Sequence, residues 1–509
     1  MSQKTIIFIT IAAYLVLMVV ISVLSSKKIT RASDLTVGGR KAGAWLSALS
    51  YGTAYFSAVM FVGYAGTTGW NFNMYGVLAG IGNAVFGSYL AWKLLARRTR
   101  DVSYRLKIKS MPQFFESRYS SKSMKTFSAL IMFIFLVPYS ASVYKGLASI
   151  CKVVLDIPEM TCMIIIAAVS ALLLFFGGYI AQLKADFIQG IIMMFGVLLM
   201  ILFIIRCDTV GGFDGIANYA KNGGFAPMSA NKWISLSATV LMTSFGTWGL
   251  PQMVQKYFGI KDDAQAKKGI VISTFFAFLV AGGGYFIGSL CHMFFGNTMP
   301  EGGQDYIIPN MLKISALPSV LLGIILVLLI SASVSTLSSI SLTAGSIVSM
   351  DLIKSKFDKT MSDKKLSLLI KFICVLFVIC SFAVANTKTP ILDMMSYSWG
   401  IISGSFIAPY LLALYSKKIN RIGAWSGIIS GFVIAVVPAL SKCILIALRN
   451  PVSETGFIKT LNTLASMGPT FACIAMALSL LVCYLVSILT PKNIQKCNID
   501  LFYNGAIER

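Results

Sequence analysis

The sequence predicts an all-α, polytopic membrane protein with about thirteen transmembrane helices, two of which are interrupted near their middle. Three observations predict this architecture. Hydrophobic residues make up 57% of the 509 residues, and charged residues only 12%. Apolar segments of about 20 residues, the length that crosses a bilayer as a helix, recur along the whole chain. Lys and Arg cluster in alternate connecting segments, as the positive-inside rule describes.

The predicted spans follow one another with short polar connections, so we expect no sizeable soluble domain. The first span is longer than the core of a signal peptide, and we expect it to stay in the membrane. The approximate bounds of the spans are 5–25, 46–68, 76–97, 126–151, 158–181, 185–207, 232–255, 269–296, 315–349, 366–385, 391–415, 422–446 and 462–490.

The formal net charge of +24 follows membrane topology and does not indicate a nucleic-acid partner. Basic residues are dense after the first, third, seventh, ninth and eleventh spans and sparse in the other connections. This pattern places the N-terminus outside and the C-terminus in the cytoplasm of a plasma (inner) membrane. The cluster assigned to the loop after the seventh span comprises Lys256, Lys261, Lys267 and Lys268.

Enzymatic chemistry has little support in the sequence. The chain has one histidine, His292, and ten cysteines that are scattered without the spacing of metal ligands. No nucleophile and base stand together in a recognisable pattern. We therefore expect a protein that is not an enzyme, that binds a small-molecule substrate in the lipid bilayer, and that functions as a monomer.

The second and seventh spans carry residues that interrupt a helix. In the second, Gly52 lies among hydroxyl side chains, and in the seventh Gly246, Gly249 and Pro251 follow one another closely. These spans begin two consecutive blocks of five, spans 2–6 and 7–11, which cross the membrane in opposite senses. Interrupted spans at matching places of two inverted halves indicate the midplane binding site of a secondary transporter.

The ninth span contains a serine-rich stretch, residues 331–339, inside a membrane-length apolar segment. Hydroxyls in hydrocarbon need partners, because an unsatisfied polar group there costs several kcal/mol. Two interpretations are open. The small residues pack helices closely and bond back to their own helix, or the hydroxyls are oxygen ligands of a hard cation.

Two further features of the spans have competing interpretations. Lys145, the basic residue deepest inside a span, either contacts a substrate carboxylate or extends towards the outer interface. Tyr397 and Trp399 fit an interfacial aromatic belt, while Trp399, with Tyr139 and Trp248, also fits a hydrophobic gate.

Six stretches, in order along nearly the whole chain, resemble the sodium:solute symporter family, with the proline and pantothenate carriers as its nearest branches. They are residues 38–40, 48–63, 177–178 with Asp186 and Gln189, 245–251, 335–339 and 397–409. The resemblance implies a LeuT-type inverted five-helix repeat. Its parts would be an extra helix and basic loop, the first repeat, the second repeat, and two C-terminal helices with a short tail, at 1–45, 46–210, 230–416 and 417–509.

The resemblance also implies ion sites, with Na⁺ as the coupling ion in one or two copies. A first sodium site would use backbone carbonyls and two hydroxyls, from Thr53, Phe56, Ala332, Ser335 and Thr336. A possible second sodium site would combine Ser335 with Asp186, Ser338 and Ser339. An acid at a helix start is also a common cap, which is the other interpretation of Asp186.

By position, the resemblance places the substrate between the two interrupted spans and the fourth, at Ser57, Ala58, Tyr139, Ser142, Thr243, Thr247 and Trp248. The sequence departs from the proline carriers here. Tyr55 stands where they have an aspartate, and Thr243 and Thr247 stand where they have bulky aromatics.

The expected function is sodium-coupled symport of a small organic solute into the cell by alternating access. The solute would be an amino acid, a monocarboxylate or a vitamin-like compound. A proton-coupled carrier of the same fold for sugars or nucleosides, or a non-coupled channel or sensor module, remains the alternative.

Overall fold

The computed structural model describes residues 3–26, 37–176, 179–358, 360–387, 389–448, 456–490 and 502–503. The glycine pair 177–178 of the sequence prediction lies outside them. Within the described residues the chain is almost entirely helical, and the sole strand-like feature there is an isolated bridge between Ala42 and Ile260.

We number the α-helices in chain order. The first eleven are α1 Gln3–Ser26, α2 Ala44–Tyr55, α3 Gly66–Phe72, α4 Val77–Gly82, α5 Arg97–Arg105, α6 Met111–Tyr119, α7 Lys122–Leu155, α8 Glu159–Phe176, α9 Tyr179–Arg206, α10 Gly212–Tyr219 and α11 Ala230–Phe245. The remaining ones are α12 Pro251–Phe258, α13 Asp263–Ser289, α14 Cys291–Phe295, α15 Ile307–Ile314, α16 Ser319–Ile347, α17 Asp363–Ala385, α18 Ile391–Tyr415, α19 Arg421–Ala435, α20 Val437–Ala447, α21 Gly456–Ser466 and α22 Gly468–Leu489.

Ten helical stretches of the described residues are long and apolar enough to cross a membrane. The other predicted spans are divided or short. The second half of the second span runs on into the third as one stretch, Val59–Arg105, and the fifth contributes the shorter apolar helix Glu159–Ala171. The seventh is split between α11 and α12. The number thirteen therefore stays a prediction.

The interruption predicted in the second span is confirmed. Helix α2 ends at Tyr55, and Phe56 is extended, with φ −102° and ψ 103°. The helix resumes as a π-helical segment, Val59–Ala65, with the Ser57 hydroxyl accepting the N–H of Val59 at 3.2 Å. Gly52 lets α2 approach α13, because a Cβ there would lie 2.3 Å from the Phe276 ring.

The interruption predicted in the seventh span is also confirmed. Helix α11 ends at Phe245, a 3₁₀ segment covers Gly246–Gly249, and α12 starts at Pro251 after an extended Leu250. The two interrupted spans are joined at one end by the bridge around Ala42. The Ala42 N–H donates to the Gly259 carbonyl at 3.1 Å, and the Ala42 carbonyl accepts the backbone N–H of Lys261 at 3.0 Å.

Helix α16 is the second most enclosed of the long helices, with 83% of its apolar 18-residue window buried in the protein; for α18 the fraction is 89%. It packs against α1, α7, α9 and α17, and against the halves of the interrupted spans, α2 and α12. All residues from Ser331 to Ser339 are buried. Their hydroxyls therefore face protein rather than lipid.

Candidate functional site

Four helices meet at the serine-rich stretch: α16, which carries it, and α2, α9 and α12. Helices α2 and α16 each pack against both α9 and α12. Two of the four, α2 and α12, are the half-helices next to the interruptions, whereas α9 and α16 are continuous. The polar groups of the stretch are thus placed where interrupted and continuous helices meet.

The first polar cluster joins α16 to the interruption of α2. The Thr336 hydroxyl lies 3.0 Å from the Thr53 carbonyl oxygen and 2.9 Å from that of Ala332. In an unbroken helix the Thr53 carbonyl would accept the N–H of Ser57, but the helix ends at Tyr55. The structure therefore brings together three of the five residues that the resemblance implies for a first sodium site.

The other two residues of that site are buried and lie close in sequence to Thr53 and Thr336. Phe56 supplies the extended position of the interruption and is 0% exposed, and Ser335 is 1% exposed. The Ser335 hydroxyl donates to Asp186 Oδ1 at 2.6 Å. A hydroxyl that donates to a carboxylate keeps its oxygen lone pairs free, so Ser335 links the first cluster to Asp186.

The second polar cluster holds a charged pair. Lys256 Nζ on α12 lies 3.3 Å from Asp186 Oδ2 on α9, and both residues are at most 2% exposed. The same ammonium donates to Ser50 Oγ at 2.7 Å and to Ser339 Oγ at 3.0 Å. The Ser50 hydroxyl in turn donates to Asp186. Asp186 and Ser339 are therefore already bound to a positive charge.

The surroundings of Lys256 complete its contacts. The Tyr179 ring lies 5.5 Å from the ammonium, within cation–π range. The Gln182 amide donates to Ser339. Ser338, which is also predicted for the second sodium site, is 9% exposed, and the structure shows no hydrogen bond from it to Lys256 or Asp186 within the described residues.

The sequence pattern does not reveal the role of Lys256, because a basic residue at this position fits the loop after the seventh span. The structure corrects this, since α12 continues to Phe258 and buries the lysine. Asp186 is not merely a helix cap, because its side chain is bound by Ser50, Ser335 and Lys256.

The seven residues predicted to bind the substrate are all buried, with exposed fractions of at most 4%. The Tyr55 hydroxyl donates to the Thr243 carbonyl at 2.6 Å and so connects the two interrupted spans. The Trp399 ring packs edge-on against Tyr139, with centroids 5.4 Å apart, and lies 6.1 Å from Tyr55. In this conformation the region is closed to solvent.

Most polar groups of this region bond locally. The hydroxyls of Ser142, Thr243 and Thr247 donate to carbonyls three or four residues earlier in their own helices, at 2.7 to 2.9 Å. The Trp248 indole donates to the Phe86 carbonyl at 3.0 Å. These bonds satisfy the donors and leave hydroxyl lone pairs available.

Trp399 differs from the expectation of an interfacial belt. It is 1% exposed, and among the described residues its indole N–H has no hydrogen-bond partner. Tyr397 is likewise buried, with its hydroxyl donating to the Ala465 carbonyl at 2.9 Å. Lys145 is half-buried, and its ammonium donates to the Thr389 carbonyl at 2.7 Å. The Trp399 indole N–H is thus a further polar group in the region around Tyr139.

Comparison with known sequences gives a consistent result. The sequence profile of the sodium:solute symporter family matches residues 35–431. The osmoregulated proline transporter OpuE of Bacillus subtilis (strain 168) is 27% identical over 434 residues, which cover 84% of this chain and 87% of that relative. A sodium/proline symporter of Staphylococcus aureus (strain bovine RF122 / ET3-1) is 26% identical over 503 residues, which cover 95% of this chain and 93% of that relative.

Two solved structures share the fold. A Na⁺-coupled sialic acid symporter in a substrate-bound outward-open state superimposes with a TM-score of 0.73 and 16% identity, covering 95% of this chain and 98% of that one. Mhp1, a nucleobase-cation-symport-1 family transporter in a closed conformation, superimposes with a TM-score of 0.53 and 12% sequence identity. The match covers 92% of this chain and 97% of that one. The predicted all-α, LeuT-type fold is confirmed.

Proposed function

The chain belongs to the sodium:solute symporter family, and from that premise we propose the ion site, solute class and orientation through which it works. Sodium-coupled symport is its function and Na⁺ its coupling ion, so it is a multi-pass membrane transporter and not an enzyme. We infer that it imports its solute across the plasma membrane by alternating access, with the N-terminus outside and the C-terminus in the cytoplasm.

The ion binds, in this proposal, between the interruption of α2 and the serine-rich stretch of α16. The observation that carries it is the Thr336 hydroxyl against the Thr53 and Ala332 carbonyls. Carbonyl and hydroxyl oxygens are the ligands that a hard monovalent cation prefers. Phe56 and Ser335 complete the set, with the Ser335 hydroxyl polarised by its bond to Asp186.

The linkage between ion and solute follows from the position of these ligands. Thr53 and Phe56 lie on an interrupted helix, while Ala332 and Thr336 lie on a continuous one. An ion that bridges the two favours the conformation in which they stand close together. Such a differential affinity for one conformation is the thermodynamic basis of coupling.

The solute class is drawn from the region around Ser57 and Ala58. The helix resumes after Ser57, and the positive end of its dipole favours a carboxylate there, with the Val59 N–H bound by the Ser57 hydroxyl. The rings of Tyr139 and Trp399 would cover an apolar body, and the free Trp399 N–H would donate to a polar atom. Thr243, Thr247, Ser142 and Trp248 complete the proposed pocket.

Proline, which the names of several relatives give as their solute, is one member of this class. Tyr55, at the position where the proline carriers have an aspartate, is bound through its hydroxyl to the Thr243 carbonyl. We propose an amino acid, a monocarboxylate or a vitamin-like acid as the solute. A thermal-shift screen of the purified protein in sodium and in potassium tests this class, because a true solute raises the unfolding temperature. Stabilisation by sugars or nucleosides in place of acids would contradict it.

The ion site is tested by Thr336→Val, which keeps the size of the side chain and removes its hydroxyl. We expect the dissociation constant for ²²Na⁺ to rise about tenfold or more. Hydrogen bonds and ligand contacts to charged groups contribute about 1.5–3 kcal/mol, and about 1.4 kcal/mol corresponds to a factor of ten. The measurement is scintillation-proximity binding to purified protein, with choline chloride replacing sodium.

The matched control is Ser333→Ala on the same helix. The Ser333 hydroxyl is buried but bonds to the Leu329 carbonyl of its own helix at 2.8 Å. Its removal is expected to leave the dissociation constant for sodium unchanged. Equal sodium affinity in Thr336→Val and wild type would remove Thr336 from the site.

A further inference from the structure

Lys256 stands where the second sodium ion of the sequence prediction would stand. Its ammonium contacts Asp186 and Ser339, two of the four residues assigned to that ion, and adds a third oxygen from Ser50. We propose that Lys256 is a tethered cation that permanently fills this position. The protein then binds one sodium ion in each transport cycle, an inference that rests on the first sodium site proposed above.

The ammonium of Lys256 takes up oxygens that a small cation at this position would also use. Three oxygens from Asp186, Ser50 and Ser339 lie 2.7 to 3.3 Å from Lys256 Nζ. A sodium ion in the same cluster would need the same oxygens. It would also lie within a few ångströms of a like charge in a buried site, where repulsion is strong.

The charges of the cluster are balanced without a free ion. Asp186 and Lys256 are both buried, and the side chains in hydrogen-bond contact with the pair, Ser50, Ser335 and Ser339, are neutral. A buried carboxylate needs a counter-charge. Lys256 supplies it from a side chain that cannot diffuse away, so its effective concentration is far above that of dissolved sodium.

The position of Lys256 on α12 explains how it reaches the cluster. Helix α12 begins at Pro251 after the second interruption, and Lys256 follows one and a half helical turns later. The lysine side chain is buried, and its ammonium lies over the Tyr179 ring on α9. The cation therefore enters from an interrupted helix, while Asp186 and Ser339 belong to continuous ones.

The wild-type protein gives the first test, which needs neither a substitution nor a known solute. Equilibrium binding of ²²Na⁺ to purified protein is expected to saturate at one ion per chain. Two ions per chain would overturn the tethered cation. Thr336→Val should then reduce this single binding event, which assigns it to the first site.

The second test removes the ammonium and keeps most of its stem, in Lys256→Met. We expect the binding stoichiometry to rise from one to two, because the vacated oxygens and Asp186 now accept a sodium ion. Sodium should also raise the unfolding temperature of this variant more than that of wild type. Lys256→Arg, which keeps a cation, is the matched control and should stay at one ion.

The double variant Lys256→Met with Asp186→Asn provides a test that does not depend on the stability of the single variant. It removes both charges, so the cluster stays neutral and the stoichiometry should return to one. One ion in Lys256→Met, or two in the double variant, overturns the proposal. A wild-type protein that binds no sodium overturns the first sodium site instead, so the two failures are distinguishable.

Discussion

Two polar clusters lie one helical turn apart on α16, and they are built from different groups. At Thr336 the partners are the Thr53 carbonyl of an interrupted span and the Ala332 carbonyl of its own helix, and every group is neutral. At Ser339 the partners are Lys256 and, through it, Asp186, so the cluster contains a complete ion pair. Both clusters are buried and both join an interrupted helix to a continuous one.

The difference in charge between the two clusters explains which of them suits a reversibly bound ion. At Thr336 the hydroxyl lies against two carbonyl oxygens, and this cluster contains no charge that needs a permanent partner. A buried carboxylate cannot stay without a counter-charge, because the desolvation of an unpaired charge is costly. A neutral cluster therefore fits reversible binding, and a charged one fits permanent occupation.

The largest effect that separates the clusters is expected from Asp186→Asn. It leaves the Lys256 ammonium buried without its counter-charge, and breaking a buried ion pair in this way costs about 3–5 kcal/mol. Thermal unfolding in detergent should show a much lower unfolding temperature. Asp156→Asn, which breaks the exposed pair with Lys4, is the control and should change little. Similar unfolding temperatures for Asp186→Asn and wild type would mean that the pair contributes nothing to stability.

An intermediate effect is expected from Ser335→Ala, the one substitution that reaches both clusters. The hydroxyl bonds to Asp186 at 2.6 Å, and its loss should reduce the free energy of unfolding by about 1–3 kcal/mol. Because the same oxygen is proposed as a sodium ligand, sodium affinity should fall as well. Urea unfolding and ²²Na⁺ binding measure the two quantities. Lower stability with unchanged sodium affinity would assign Ser335 to the Asp186 cluster alone.

The smallest effect is expected from Ser338→Ala. Ser338 is predicted from sequence to bind the second ion, but in the structure the ammonium is held by its neighbours Ser339 and Asp186. We expect a change in unfolding free energy within about 0.5 kcal/mol and an unchanged sodium stoichiometry. A clear loss of stability in this variant would show that Ser338 has a role that the contacts around Lys256 do not reveal.

The interrupted helices and the serine-rich face could be predicted because their signals are local. Gly52 and the segment Gly246–Gly249 with Pro251 weaken a helix wherever they occur, and hydroxyls inside an apolar span need partners in any fold. The meeting of Thr53 with Thr336 came from the resemblance to a family, because no local pattern states which helices face each other.

The role of Lys256 could not be predicted in the same way. It lies two residues before the end of α12, where a basic residue favours the helix dipole and is ordinarily solvated. Only packing of α12 against α16, with Asp186 on the adjacent α9, turns it into a buried cation. One signal was available, since Val254, Tyr257 and Phe258 around it are apolar and the half-helix is buried throughout.

The neutrality of the Lys256–Asp186 pair has a consequence for the electrical work of transport. A membrane potential exerts no net force on a neutral pair, so with one sodium ion and a neutral or zwitterionic solute it acts on a single charge. Each 100 mV then contributes about 2.3 kcal/mol per cycle, which sustains roughly a fiftyfold concentration ratio. A second mobile ion would square that ratio. A lysine in its place makes accumulation less steep and halves the number of sodium ions that enter with each solute molecule.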